Sequence, residues 1–428
     1  MKPALFCIVA VLVLAIAGIF AAQILMDPGS DEHGVAVADT ATQIATGKYL
    51  ARAGDCVACH TARGGLAYAG GREISTPFGN LFSPNITPDV DTGIGKWTAD
   101  DFWRALHNGK SRDGHFLYPA FPYPNYTKIS RADSDALFSY FQTLPAVHIA
   151  NKEHALRFPY NLRLLLAVWR TLYFKPGTWH AQPDQSAEWN RGAYLVQGLG
   201  HCAACHTNRN ALGASQQSAD LAGGLIPVLS WYAPSLTSDA EAGLGSWEKQ
   251  NIVALLQTGV SPRATVFGPM AMVVRDSLQH LSDSDVGAMA TYLKSLPQAV
   301  TPVIDNDFAA DPANEVVTLK LGAKLYGDYC VACHKENGAG MTPAYPPLAG
   351  NRAITMSSSV NPVRMVLNGG FPPGTEKNPR PYGMPPYGPI LNDAEVAAVT
   401  SYIRRSWGNN ASLVSPMTVS RYRPVPVE

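Results

Sequence analysis

The chain opens on an apolar stretch. After Lys2 no charged residue occurs from Ala4 to Ala22, and Gln23-Ile24-Leu25-Met26 carries the stretch on to Asp27. Ala4 to Ala22 is 19 residues, close to the roughly 20 that a helix needs to cross a bilayer. A signal peptide would have a shorter apolar region ending at a small-x-small site. The best such site, Ala36-Val37-Ala38, lies more than ten residues beyond the run. The pattern favours an uncleaved anchor over 1–26, with Lys2 on the cytoplasmic side and the body of the protein exported.

Beyond the anchor the pattern is helical and it recurs. Three short amphipathic stretches open on glycine: Gly47-Lys48-Tyr49-Leu50, Gly192-Ala193-Tyr194-Leu195 and Gly322-Ala323-Lys324-Leu325. Each is followed at a distance by a second helix with a capping signal: Ser130 with Asp133, Ser282 with Asp285, and Asn392 with Glu395. The cap side chain and a carboxylate three residues on satisfy backbone N–H groups that a helix start leaves open. Ten residues after each cap stands a tyrosine: Tyr140, Tyr292 and Tyr402. Leu144-Pro145 and Leu296-Pro297 stop the first two helices. The stretch from Pro84 through Trp97 to Gly109 matches Pro234 through Trp247 to Gly259 without a gap, at a constant offset of 150.

Strand signals are sparse, so the expected fold is all-α: three domains at 40–148, 186–300 and 314–410. A linker or docking segment spans 149–185, and an extended tail covers 411–428. Within the linker, Leu162-Arg163-Leu164-Leu165-Leu166-Ala167-Val168-Trp169 reads either as a packing helix between domains or as a docking surface for a partner subunit or membrane.

Each domain carries one copy of a further motif: Cys56-Val57-Ala58-Cys59-His60, Cys202-Ala203-Ala204-Cys205-His206 and Cys330-Val331-Ala332-Cys333-His334. Cys-x-x-Cys-His is the attachment signature of c-type heme. The two thiols bond to the vinyl groups on one porphyrin edge, and the histidine sits under the iron as proximal ligand. A redox dithiol would sit in a βαβ context, and a zinc site would need a second Cys or His pair nearby. Neither is present, so three covalently bound hemes c are expected. The seventh cysteine, Cys7, lies in the apolar N-terminal stretch, which leaves no disulfide framework.

The opposite face of each iron calls for a second ligand, and a thioether there raises the reduction potential. Met384, in Tyr382-Gly383-Met384-Pro385-Pro386, and Met270, in Gly268-Pro269-Met270-Ala271, are the candidates, with Met272 the fallback for the second. Met341, Met356 and Met365 read as packing residues. The first domain departs from the pattern. No methionine occurs between Met26 and Met270, and the corresponding loop, Tyr118-Pro119-Ala120-Phe121-Pro122-Tyr123, has Phe121 at the ligand position. Phenylalanine cannot coordinate iron, so heme 1 is five-coordinate or bound by another group, with His107, His115 and Lys128 nearby in sequence.

Lys+Arg and Asp+Glu both number 33, and that balance argues against nucleic-acid binding. No nucleophile triad, paired carboxylates or phosphate-cradling glycine loop appears. A stand-alone heme enzyme acting at heme 1 on peroxide or a small sulfur or nitrogen compound remains the alternative to a pure electron carrier.

With these motifs the chain resembles the triheme cytochrome c subunits of membrane-bound periplasmic dehydrogenases. The matching pieces include Pro77-Phe78-Gly79, Ser83-Pro84-Asn85-Ile86-Thr87-Pro88-Asp89, Arg191-Gly192-Ala193-Tyr194-Leu195-Val196, Gly200-His201-Cys202 and Trp407-Gly408-Asn409. The resemblance implies three tandem class I cytochrome c domains behind an N-terminal transmembrane helix, on the periplasmic side of the cytoplasmic membrane. It also implies a catalytic partner with molybdenum, pyrroloquinoline quinone or FAD, an accessory subunit that can carry iron–sulfur clusters, and ubiquinone as acceptor. Phe121, where alcohol-oxidising relatives tend to have methionine, points to the branch paired with aldehyde dehydrogenases; alcohol, gluconate and other sugar dehydrogenases are the alternatives.

Overall fold

The computed structural model describes residues 17–19, 21, 23, 40–299 and 312–425. The expected anchor over 1–26 lies almost wholly outside them. Among the described residues no helix is long and apolar enough to cross a membrane. The chain divides into two compact units. The first comprises Met1–Pro183 with Tyr194–His201, and the second Asp184–Ala193 with Cys202–Glu428. Helices dominate, with a few strands of two to four residues.

In the first unit, α1 (Thr40–Ala53) leads into the one-turn α2 (Cys56–Cys59), and β1 (Glu73–Thr76) pairs antiparallel with β2 (Gly79–Phe82). Then follow α3 (Ala99–Asn108), α4 (Tyr123–Tyr126) and α5 (Arg131–Gln142). The Ser130 side chain accepts the N–H of Asp133 at 3.1 Å and caps α5. α1 packs across α5 over a core that includes Leu50, Ala51, Leu137 and Phe141.

Residues 149–183, expected as a linker, are folded into this unit. β3 (Ala155–Leu156) adds to the free edge of β2, and α6 (Leu165–Tyr173) buries Leu166, Ala167 and Arg170. The sequence misleads here because a two-residue strand carries too little pattern to be seen.

The first part of α7 (Ala187–Gln197), up to Ala193, belongs to the second unit; there α8 (Ala203–His206) carries the second motif, and β4 (Gly224–Ile226) pairs with β5 (Trp231–Ala233). α9 (Lys249–Thr258) leads to the β6 (Val260–Ser261) and β7 (Ala264–Thr265) hairpin, then to α10 (Pro269–Asp276) and α11 (Asp283–Ser295), which Ser282 caps. The remainder comprises α12 (Pro312–Tyr329), α13 (Val331–His334), α14 (Arg352–Thr355), α15 (Val360–Asn368) and α16 (Asp393–Arg405). Asn392 and Glu395 form a reciprocal capping box on α16. A buried cluster of Leu325, Tyr326, Val363, Val396 and Val399 joins α12, α15 and α16.

Residues 411–428 were expected to be extended, but α17 (Pro416–Tyr422) corrects this. Ser415 accepts the N–H of Thr418 at 3.1 Å, proline occupies the first helical turn where its missing N–H costs nothing, and Val419 is fully buried. Ser-Pro is a helix-start signal that the proline-rich end of the tail obscures.

Candidate functional site

Each motif forms the same object. The backbone turns once, so that the histidine N–H donates to the carbonyl of the first cysteine: His60 to Cys56 at 3.0 Å, His206 to Cys202 at 2.9 Å and His334 to Cys330 at 2.9 Å. In the first copy α1 ends at Ala53, and Asp55 takes a left-handed conformation (φ 49°) that swings the chain into the turn. The two cysteines thereby share one side of a single helical turn, and all six are free of disulfides.

The imidazoles are held alike. The Nδ1–H of His60 donates to the carbonyl of Pro84 at 2.8 Å, that of His206 to Pro234 at 2.7 Å and that of His334 to Pro346 at 3.0 Å. A carbonyl only accepts, so Nδ1 carries the proton and Nε2 presents its lone pair. Fixing the second nitrogen in this way is how a ligating histidine is aimed. Sequence reasoning did not assign these prolines. The signal was available for two of them, since Pro84 and Pro234 begin the ungapped repeat.

The repeat is geometric as well as sequential. Gly70 donates its N–H to the His60 carbonyl and Gly223 to that of His206, both at 2.8 Å. Ile94 donates to Thr87 at 2.9 Å, and Leu244 to Thr237 at 2.8 Å. The third copy closes differently, through Gly340 onto the His334 carbonyl at 3.0 Å.

Burial sets the protonation states. It pushes the Cys56 and Cys202 thiols up to about 12 and Cys330 to about 11, so all three remain thiols at neutral pH. Burial also lowers His60, His334 and His206, the last to about 4, where the Arg352 charge adds to the effect. The imidazoles are therefore neutral, as ligation requires.

The candidate distal residues are also placed. Met384 lies on a strand-like bridge in which its N–H and carbonyl exchange hydrogen bonds with Gly370 at 2.8 and 2.9 Å. It packs against the same buried cluster as Cys330 and Val331. Met270 sits in the first turn of α10, behind Gly268 (φ 57°), whose Cα lies against the Trp231 ring. Met272 is two residues further along that helix and faces elsewhere, because positions i and i+2 do not share a face.

In the first unit Phe121 packs edge-on against Tyr126, with ring centroids 5.3 Å apart. The Tyr126 hydroxyl donates to the carbonyl of Gly54, two residues before Cys56. This chain of contacts ties the Phe121 loop to the first attachment turn. His107 stacks on Trp103 at 4.4 Å, with its Nδ1 3.4 Å from Thr127 Oγ1, and His115 pairs with Asp113 on an exposed turn. The Lys128 carbonyl accepts the Trp179 N–H at 3.0 Å. His201, which the sequence did not single out as a site residue, approaches the other side of Tyr126 at 5.6 Å and donates from Nδ1 to the Leu199 carbonyl.

Two thiols on one turn, followed by an imidazole with a free Nε2, form the donor set that covalently attached heme c requires. The comparisons agree. The cytochrome c family model matches residues 44–145, 190–297 and 319–407. The chain is 41% identical over 380 residues to the gluconate 2-dehydrogenase cytochrome c subunit of Pantoea cypripedii, covering 85% of this chain and 86% of that one. It is 40% identical over 392 residues to the cytochrome c subunit of the quinone-type alcohol dehydrogenase of Gluconobacter oxydans, covering 88% and 80%. It is 36% identical over 408 residues to the fructose dehydrogenase cytochrome subunit of Gluconobacter japonicus, covering 89% and 82%. By both measures this chain belongs to the cytochrome c family, among the cytochrome c subunits of the gluconate, alcohol and fructose dehydrogenases.

Proposed function

We propose that this chain is the electron-transfer subunit of a dehydrogenase complex and carries three covalently bound hemes c. Cys56 and Cys59, Cys202 and Cys205, and Cys330 and Cys333 make the thioether links, with His60, His206 and His334 as proximal ligands. Met270 and Met384 ligate opposite the second and third. The observation that carries the reading is the threefold recurrence of a Cys-x-x-Cys-His turn whose histidine gives its Nδ1 proton to a proline carbonyl. Heme supplies reversible one-electron chemistry when bound, and the chain's residues set where and at what potential that happens. The proline carbonyls aim Nε2, burial keeps the imidazoles neutral, and the Gly370 bridge fixes the Met384 backbone.

In this reading a separate catalytic subunit oxidises the organic substrate. Its electrons enter the hemes and leave to ubiquinone in the membrane that residues 1–26 anchor, on the periplasmic side. The names of the relatives span gluconate, alcohol and fructose, so the heme-bearing chain does not itself set the substrate. Phe121 favours an aldehyde dehydrogenase partner. Expression with a working heme-ligation apparatus should yield a red protein whose mass carries three hemes and which co-purifies with a large catalytic subunit. Aldehyde should then reduce the hemes in the complex. A colourless chain would sink the whole reading, and reduction by an alcohol or sugar acid but not by aldehydes would sink the substrate assignment alone.

A further inference from the structure

Helix α6 buries a charged side chain and exposes several apolar ones. On an ordinary surface helix the polar face meets water and the apolar face meets the core. Here the inward face carries Arg170, fully buried, beside Leu166 and Ala167, while Leu165, Val168 and Leu172 stand outward at positions i, i+3 and i+7. Leu164 before the helix is 62% exposed, and Leu172 is 63% exposed. Phe158, 78% exposed, extends the same segment toward the N-terminus.

The buried arginine has a purpose in this arrangement. Its guanidinium stacks on Phe116, Tyr123 and Phe174 at 4.8 to 5.5 Å, and Nη1 donates to the Asn108 carbonyl. α6 is thus clamped to the unit through Arg170 together with Leu166 and Ala167, while Leu165, Val168 and Leu172 are left outside. Charge is just as one-sided. From Arg157 to Pro183 the sequence contains Arg157, Arg163, Arg170 and Lys175 but no aspartate or glutamate.

What lies beside this face is given by Gln23, the residue that follows the apolar run. Gln23 is buried, donates from Nε2 to the Ala167 carbonyl at 3.2 Å and to Thr171 Oγ1 at 2.7 Å, and accepts from Arg170 Nε at 2.8 Å. These three partners, Ala167, Arg170 and Thr171, lie on α6. A helix over residues 4–22 would be roughly 29 Å long, about the thickness of a bilayer core. The end of that run is seated on the helix whose outer face is apolar.

We infer that the outer face of α6 lies on the anionic surface of the lipid bilayer, its leucines at the headgroup boundary and its flanking cations on lipid phosphates, and that with the Gln23 clasp it fixes the tilt of the heme-bearing unit. Interfacial helices combine such a leucine and aromatic face with nearby cations, and anionic lipid attracts basic segments of this kind. A contiguous exposed apolar patch marks an interaction surface. This inference rests on the membrane reading above.

The test is photolabelling of the full chain in native membranes with a carbene precursor dissolved in the lipid, followed by mapping of labelled peptides. Label in both 1–26 and 158–172 is expected, and in the double variant Leu164→Glu/Leu172→Glu label in 158–172 should fall at least fivefold with the heme content unchanged. Label in 158–172 without 1–26 would support the interfacial helix and overturn the uncleaved anchor. Label in 1–26 alone would overturn the inference, assigning the face to a protein partner, and leave the anchor standing. Label in neither overturns both.

Discussion

Gly192 lies so close to Ala288 that a Cβ on the glycine would stand 2.0 Å from the alanine carbonyl oxygen and 2.9 Å from the Tyr292 Cβ. The relationship occurs three times. Gly47 meets Ala136 and Tyr140 at 1.9 and 2.8 Å, and Gly322 meets Ala398 and Tyr402 at 2.2 and 2.7 Å. In each case the glycine of the first helix is the point where it crosses the last, four residues before that helix's tyrosine. The backbone approach leaves no room for a side chain, and the crossing aims the first helix at the cysteine turn that follows.

Gly192→Ala is therefore expected to force the helices apart. The atom in the way is backbone, which cannot swing aside, so the cost should reach the upper end of the 1–3 kcal/mol typical of overpacking. Thermal unfolding of the holoprotein should show a lower midpoint, with heme 2 affected most. Gly327, which has open space around its Cα, serves as the control: Gly327→Ala should leave the midpoint unchanged or slightly raise it. An unchanged midpoint in Gly192→Ala would mean that the crossing has slack the geometry does not show.

These glycines, the caps at Ser130, Ser282 and Asn392, and the tyrosines were all legible in the sequence because they recur at fixed spacing. What they touch was not. Periodicity places residues on elements but cannot say which elements cross, so the Gly–Ala–Tyr contact emerged only in three dimensions. The proline acceptors were hidden for another reason. They act through a backbone carbonyl, which every residue has, and only the conformation of the loop brings it to the histidine. Segment 149–183 was expected as part of a linker, with a helix as one reading of its apolar run; that it folds into the first unit was not visible, because its strand is two residues long and its helix buries an arginine beside Leu166 and Ala167 while exposing other leucines. The three Cys-x-x-Cys-His motifs themselves were fully visible, since thiol and imidazole chemistry requires those residue types at that spacing.

A pH-dependent element sits in the first unit. Asp89 accepts from the Thr92 N–H at 2.7 Å and the Thr92 hydroxyl at 2.8 Å, with the Asp91 N–H and His148 adding to the set. These donors, Thr92 foremost, hold its carboxyl down to about 2. A carboxylate whose folded value lies below its unfolded value stabilises the fold above the unfolded value, near 3.8, and loses that contribution as pH falls through about 2. The difference in thermal midpoint between the native chain and Asp89→Asn should accordingly be full above pH 4 and close as the pH approaches 2. A gap that persists unchanged at pH 2 would assign the effect to shape and not to charge.

Heme 1 offers a test by subtraction. With no methionine between Met26 and Met270, every iron–sulfur bond beyond residue 26 must come from Met270, Met384 or a methionine not assigned as a ligand. The double variant Met270→Leu/Met384→Leu should lose the whole far-red sulfur-to-iron absorption band. A residual band would refute the assignment. Phe121→Met, at the position packed on Tyr126, should add such a band to the native chain. Binding of carbon monoxide to reduced heme 1 without displacement of a ligand would identify an open iron position, the condition for the alternative in which this heme does chemistry of its own.

The second histidine has a neighbour that the first lacks. Arg352 on α14 donates from Nη1 to the carbonyls of Ser235 at 3.0 Å and Ala242 at 3.1 Å, with its guanidinium 5.3 Å from the Trp247 ring. Ser235 follows Pro234, the acceptor for His206 Nδ1 at 2.7 Å. Burial brings the guanidinium down to about 10, so it stays cationic at neutral pH, and its charge works against a proton on His206. A positive charge there also disfavours the oxidised iron, which carries one more positive charge than the reduced iron. Arg352 therefore holds the potential of heme 2 up. A charge several ångström away at an effective dielectric near 20 is worth about 2–3 kcal/mol, or on the order of 100 mV for one electron. Arg352→Gln should lower the heme 2 midpoint by roughly that amount in a spectroelectrochemical titration, while Arg352→Lys retains most of it and hemes 1 and 3 stay where they were. Equal shifts in the Gln and Lys variants would show that Arg352 acts by packing on Trp247, since both variants lose the planar stack but only one loses the charge.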